Sequence, residues 1–469
     1  MRRSVFIALA SAAFLGTGTG VASAHPLGNF TINHYAGLAV RPDTVNVDYV
    51  IDMAEIPAFQ ERADIDRDGD GVLSGAELAT YAAARCDALR SGLSLRVDGR
   101  ALALSVASAT TALPLGQAGL STLRLECEYR SALDAGADAR SRLLEFADVN
   151  YADRIGWREV TARGDGIRLE TTLPSESASA RLTAYPQDLL SSPLDIRGGS
   201  IRFTAGAPIV EPEAIAPPAA APATDGRPTD VLAALIGQRE LSLIGMLAAL
   251  LIALGLGVLH ALSPGHGKTV MAAYLVGTRG TRRQALVLGP VVALSHTAGV
   301  LLLGAVTIAA SRLIAPERLY PYLSMAAGVI VLGIGLALIQ RRIRVRGHGH
   351  DHQHHHEETA APLGWRPLVA LGLSGGIVPS ASALLLLLGA IHFDRIGFGM
   401  VLILAFGLGM AVTLVGVGLV LVGARRLTQS AANGHRLIRR GLRWMPELTA
   451  LLVVLFGLGM TAQALATIL

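Results

Sequence analysis

Three histidines in an otherwise apolar stretch suggest the chemistry of this chain. His260 and His266 lie in "HALSPGHGKT" (260–269), and His296 in "ALSHTAG" (293–299). Neutral imidazole is the commonest transition-metal ligand and suits Ni, Co, Cu and Zn. Ionisable groups inside apolar spans are costly and point to function. Pro264-Gly265 lies between the first two histidines and forces a helix to open. Opened backbone at membrane depth is tolerated where it lines a cavity or is buried in protein. A helix-packing hydrogen bond is the competing reading for any one of these histidines. Three of them in two neighbouring spans, with no carboxylate there, favour ligation. The Gly267-Lys268-Thr269 ending resembles a phosphate loop, but such a loop needs a glycine where Leu262 stands. Ser295 and Thr297 flank His296 and could orient the imidazoles. Lys268, the sole lysine among 40 basic residues, would sit at the inner mouth, repelling cations or anchoring to head groups.

Other stretches carry metal chemistry too. "HGHDHQHHH" holds His348, His350, His352, His354, His355 and His356, a flexible low-affinity chelator. "DRDGDGVLSGAE" (66–77) fits a 12-residue EF-hand loop. Asp66, Asp68 and Asp70 take its first, third and fifth positions, Val72 offers its carbonyl, Ser74 follows, and Glu77 is the closing carboxylate. Bound Ca²⁺ would be a structural clip there. The flanks, 54–65 and 78–93, read as helices. A weaker candidate joins His25, which would become the first mature residue, to His34 in a transition-metal site.

The elements that must position these residues fall into two kinds. Arg2 and Arg3 before an apolar run, then Ala22-Ser23-Ala24, read as a signal peptide over 1–24. Residues 25–205 read as an exported β-rich domain, a sandwich or small barrel. Val45, Val47, Tyr49 and Ile51 alternate, as do Leu123, Leu125, Cys127 and Tyr129. Asp98-Gly99 and Gly164-Asp165-Gly166 read as hairpin turns. An oxidising compartment makes a Cys86–Cys127 disulfide plausible. Residues 206–240 hold a Pro/Ala-rich linker.

The remainder, 241–469, is a series of apolar runs of membrane-spanning length. Six spans are predicted, at 241–262, 284–310, 321–340, 367–391, 397–423 and 446–468. The intervening segments 263–283, 341–366 and 424–444 hold fifteen Lys and Arg residues against three on the other side, a positive-inside bias that puts them in the cytoplasm. Breaks at Pro264-Gly265 and at "SGGIVPSAS", near Pro379, lead two groups of three spans, as a 3+3 inverted repeat would. The fold class is a membrane all-α permease domain preceded by an exported β-rich domain with an EF-hand-like insertion.

"HALSPGHGKT", "QALVLGPVVALSHTAGVLL", the His-rich loop and "GLSGGIVPSASALLLLL" together resemble the NicO-type nickel/cobalt efflux permeases over about 241–469. The resemblance implies Ni²⁺ and Co²⁺ transport across the bacterial cytoplasmic membrane, usually outward, and no enzymatic role. His260, His266 and His296 would then hold the ion in transit, and the His-rich loop would gather it. The histidine spacing is also similar to the H-x₄-D-H signature of uptake permeases, but Gly265 replaces the Asp. Relatives often carry a cysteine where this chain has Ser380, so a thiolate is absent from that span. Paired membrane cysteines, which thiol-electron carriers of similar plan require, are absent too. An uptake permease and a membrane-anchored Ca²⁺- or metal-binding module are the alternatives. The implied partners are divalent metal ions and the bilayer, with no nucleic acid; the exported domain could mediate an oligomer or bind a periplasmic partner.

Overall fold

The computed structural model describes residues 28–133, 141–186, 193–205, 232, 242–263, 265–277, 280–309, 316–347, 364–432 and 436–468. The predicted signal peptide, His25, nearly all of the linker and the His-rich tract 348–356 lie outside the described residues. The chain divides into two compact units, essentially before and after residue 223.

The first unit is β-rich. One sheet holds β1 (Ile32–Val40), β2 (Thr44–Met53), β5 (Ser105–Ala112), β6 (Leu123–Ala132) and β8 (Arg158–Gly164), in the order β5-β6-β2-β1-β8. The other holds β3 (Leu93–Val97), β4 (Arg100–Ala101), β7 (Arg142–Asp148), β9 (Ile167–Thr171) and β10 (Gly198–Ala205), in the order β4-β3-β7-β10-β9. Pairing is antiparallel except between β1 and β8. The alternating residues of β2 and β6 face one shared core with Leu144 and Phe146 of β7 and Ile201 and Phe203 of β10. Asp98 and Gly99, both at positive φ, close the β3–β4 hairpin as predicted. The Gly164–Gly166 turn does not close a hairpin: β8 and β9 enter different sheets. Gly at a turn marks the reversal but cannot say which sheet the next strand joins.

Between β2 and β3 lie α1 (Glu55–Ile65) and α2 (Gly75–Arg90), matching the two predicted flanks. Ser74 and Glu77 form a capping box at the start of α2, worth about 1 kcal/mol. Tyr81 and Arg85 of α2 both bind Glu61 of α1, at 2.9 and 2.6 Å, clamping the helix pair. A disulfide joins Cys86 of α2 to Cys127 of β6.

The second unit is helical: α3 (Leu243–Leu262), α4 (His266–Gly277), α5 (Arg282–Ala309), α6 (Pro316–Gly347), α7 (Trp365–Gly376), α8 (Ala381–His392), α9 (Ile396–Ala432) and α10 (Arg436–Ile468). Five of these, α3, α5, α6, α9 and α10, are long and apolar enough to cross a membrane. The fourth predicted span, 367–391, breaks where its Gly and Pro residues lie, into α7 and α8, of 12 residues each, separated by Ile377 to Ser380. Each is about 18 Å long, too short to cross alone. Pro379 has no N–H to donate, and Ser380 caps α8 by accepting from Ala383 N. The segment 263–283, read as a loop from its basic residues, contains α4. Val270, Met271, Tyr274 and Leu275 of α4 bury one stripe against Ala285, Leu288, Met410 and Leu414. A Thr281/Gln284 capping box then starts α5. Within the bundle, α3 packs on α9, α5 on both α7 and α9, and α6 on α10.

Candidate metal centre

His260 sits in the last turn of α3, two residues before that helix stops. The end is orderly: Ser263 N donates to Leu259 O at 3.0 Å and Ser263 Oγ to His260 O at 2.7 Å. His296 lies in the middle of α5 and is buried at 5% exposure. The helix α9 brings the two together, because both α3 and α5 pack on it, α3 closely. A Cβ on Gly257 of α3 would overlap the Phe406 carbonyl of α9, and one on Gly409 of α9 would overlap the Leu254 carbonyl of α3. Only the missing side chains let those backbones touch.

The imidazoles of His260 and His296 have ring centroids 5.2 Å apart and are tilted by 34°. The buried Phe406 ring lies against both, 5.5 Å from His260 and 6.4 Å from His296. A third element completes the arrangement. The Ser380 backbone N–H donates to His296 Nε2 at 3.3 Å, and Ser380 Oγ is 3.1 Å from the same nitrogen. An Nε2 that accepts from a backbone amide is unprotonated, the form in which imidazole binds a metal. The geometry can therefore offer an unprotonated nitrogen of His296 and a second imidazole, that of His260, beside a hydroxyl, on three helices, with an aromatic wall.

Among the sequence candidates, His260, His296 and Ser380 are brought together. His266 opens α4, and its side chain lies outside the described residues. Ser295 and Thr297 do not take the orienting role expected of them. The Ser295 hydroxyl donates to Val292 O at 3.0 Å and faces Gly372 O of α7 at 3.4 Å; the Thr297 hydroxyl packs against Gly407 of α9. The reason is helical geometry: neighbours in sequence lie about 100° apart around the axis, so they face other helices than His296 does. Lys268 folds back rather than outward, with Nζ donating to His260 O and to Ser263 O and Oγ, the latter two at 3.3 Å. Phe406 is the functional neighbour that the sequence concealed, since one Phe in an apolar run carries no spacing signal.

In the first unit, the side-chain oxygens of Asp66, Asp68 and Asp70 gather within 4.8 Å of one another. Gly69 and Gly71, both at positive φ, donate their N–H groups to Asp66 at 2.9 and 3.0 Å. Hydrogen bonds from Ser74 and from the Arg67 backbone hold the Glu77 carboxyl down at about 2. Three gathered carboxylates are a donor set that suits a hard cation such as Ca²⁺, while Glu77 bonds to Ser74 and the Arg67 N–H. Val72 and Ser74 lie in the same turn, with Val72 exposed. His34, the weaker transition-metal candidate, is buried. It is 2% exposed, and its Nδ1 pairs with Asp148 at 2.9 Å inside the β unit. Its strand position turns the ring into the core, so no exposed imidazole is left to meet His25.

The family model NicO, described as "High-affinity nickel-transport protein", matches residues 246–370. The chain is 30% identical over 259 residues to the nickel/cobalt efflux system RcnA of Citrobacter koseri, covering 44% of this chain and 89% of that one. The chain belongs to the NicO family. A relative in Methanocaldococcus jannaschii, provisionally named nickel/cobalt efflux system MJ1092, is 31% identical over 203 residues, 43% of this chain and 87% of the relative. RcnA of Escherichia coli K12 is 29% identical, with 44% and 88% covered. No solved structure matches the chain. As a NicO protein with five helices fit to span, it is a multi-pass membrane protein. The family match takes in His260, His266, Lys268 and His296, while Ser380 and Phe406 lie beyond it.

Proposed function

We propose that this protein carries Ni²⁺ or Co²⁺ across the cytoplasmic membrane, outward from the cytoplasm. The observation that supports this best is the convergence of His260 and Ser380, at the breaks of two interrupted segments of a NicO unit, on His296 in the middle of α5. Two neutral imidazoles form an incomplete coordination set, which suits cargo that must leave as readily as it binds. His266, at the start of α4, is a third ligand, and the tract His348 to His356 gathers ions on the inner side. Outward direction rests on relatives that are named nickel/cobalt efflux systems.

The helical unit has a 3+3 inverted plan, with α7 and α8 together making the sixth crossing. In support, each break (262–266 and 376–381) separates two helices and is followed by two long ones. The packing of α3 on α9 and of α7 on α5 is also what exchange of the two halves would give. The β-rich unit is exported, and Ca²⁺ held by Asp66, Asp68, Asp70, the Val72 carbonyl, Ser74 and Glu77 clips α1 to α2.

Radioactive nickel flux into inside-out vesicles tests the main reading. Accumulation of nickel is expected, and His260→Ala or His296→Ala should reduce it to background. Accumulation only in right-side-out vesicles would make the protein an uptake permease. No flux of either metal would leave the membrane-anchored binding module.

A further inference from the structure

The sole lysine of the chain has an unusual set of partners. Lys268 is half-buried in the first turn of α4, and its ammonium spans the Pro-Gly break back to the end of α3. There it donates to the carbonyls of His260 and Ser263 and to the Ser263 hydroxyl. The two carbonyls lie at a helix terminus, where the macrodipole adds partial negative charge, and that of His260 also accepts from Ser263 Oγ. Among the described residues these dipoles are the partners of the Lys268 ammonium, and the sequence has no Asp or Glu between 241 and 316. One of the two carbonyls belongs to His260, whose ring faces His296.

We propose that the Lys268 ammonium is a tethered cation that fills the opened end of α3, and that the divalent ion must displace it to reach His260 and His296. This rests on the transport reading above. The charge balance gives the reason. With neutral imidazoles and no nearby carboxylate, an arriving divalent ion and the ammonium would share one small group of dipoles. Like charges in a poorly hydrated site repel strongly, so the two cations exclude each other. The amine keeps the carbonyls satisfied while the site is empty of metal, then yields them. A flexible four-carbon stem lets it do so without moving a helix. The tether thus sets a threshold: ions at low concentration do not open the path, and the cost of displacement keeps binding weak enough for release.

A simple C-terminal cap is the competing role for this lysine, and it makes different predictions. Nickel binding by equilibrium dialysis and nickel flux against concentration are measured on the full chain, in detergent and in vesicles. Lys268→Met should lower both the Kd and the KM for nickel roughly tenfold, as removal of one like charge from a partly screened site requires. Lys268→Arg, which keeps the charge, should leave both at or above their starting values. Ser263→Ala removes one acceptor of the ammonium and should lower both severalfold, even if Lys268→Met fails to fold. A folded Lys268→Met with unchanged or raised Kd would overturn the proposal and leave a cap, as would an unchanged Kd in Ser263→Ala. Nickel bound without flux would defeat the transport reading, while the dialysis comparison still decides displacement.

Discussion

His296 spends its Nε2 lone pair on Ser380, so a metal ion must compete with that serine or recruit it. Ser380 has two duties: it caps α8 and fixes the protonation of the imidazole. An ion that recruits the Ser380 hydroxyl loses one oxygen donor when it is removed, while the backbone N–H stays. Ser380→Ala should therefore weaken nickel binding, read by equilibrium dialysis; tighter binding would show that the hydroxyl only competes with the ion. Ser295→Ala should stay near wild type, because its hydroxyl serves the α5–α7 contact instead. The reverse ranking would return the orienting role to Ser295. At this scale the three histidines were legible because an imidazole among aliphatic residues stands out. Phe406 was not, and the true partner of His296 lies 84 residues away.

The helices position the site through their small residues. Gly255 and Gly257 sit two apart on α3, yet a Cβ on Gly255 meets open space while one on Gly257 would strike the Phe406 backbone. Gly257→Ala should force α3 from α9, at a cost of about 1–3 kcal/mol from overpacking. It should also separate His260 from His296 and cut nickel flux. Gly255→Ala should be neutral or stabilising by up to about 1 kcal/mol, since alanine is the better helix former. Thermal unfolding in detergent and vesicle flux would check both; equal effects would refute the packing account. The spans themselves were readable from apolar length. The helix α4 was not, because the basic residues near it suggest a solvated loop and its short apolar stripe shows only against α10, α7 and α9. The Pro379 break was visible, but its splitting of a 25-residue run into two short helices depends on Ser380 and the α5 contact.

The whole molecule joins two units of opposite character, and the sided charge pattern predicts which side each faces. With the β unit outside, external Ca²⁺ should protect the α1–α2 loop, where Arg67 is exposed between the aspartates, from trypsin in right-side-out vesicles. Asp66→Ala should remove that protection. Cleavage at Arg67 only in inverted vesicles would reverse the proposed topology, and cleavage unaffected by Ca²⁺ would remove the ion. The sequence by itself determined what each region must bury. Its strands alternate, its spans are apolar throughout, and its rare polar residues in those spans mark a site, because hydration cost acts on every residue locally. It also carried the 12-residue acidic loop and the Asp98-Gly99 turn, whose geometry is set within a few residues. Tertiary structure alone decided which partners meet: Ser380 with His296, Phe406 over both imidazoles, Lys268 on the His260 carbonyl, and β8 and β9 in separate sheets. Those contacts depend on where helices and strands cross, and crossing is settled by packing between distant segments that no local pattern encodes.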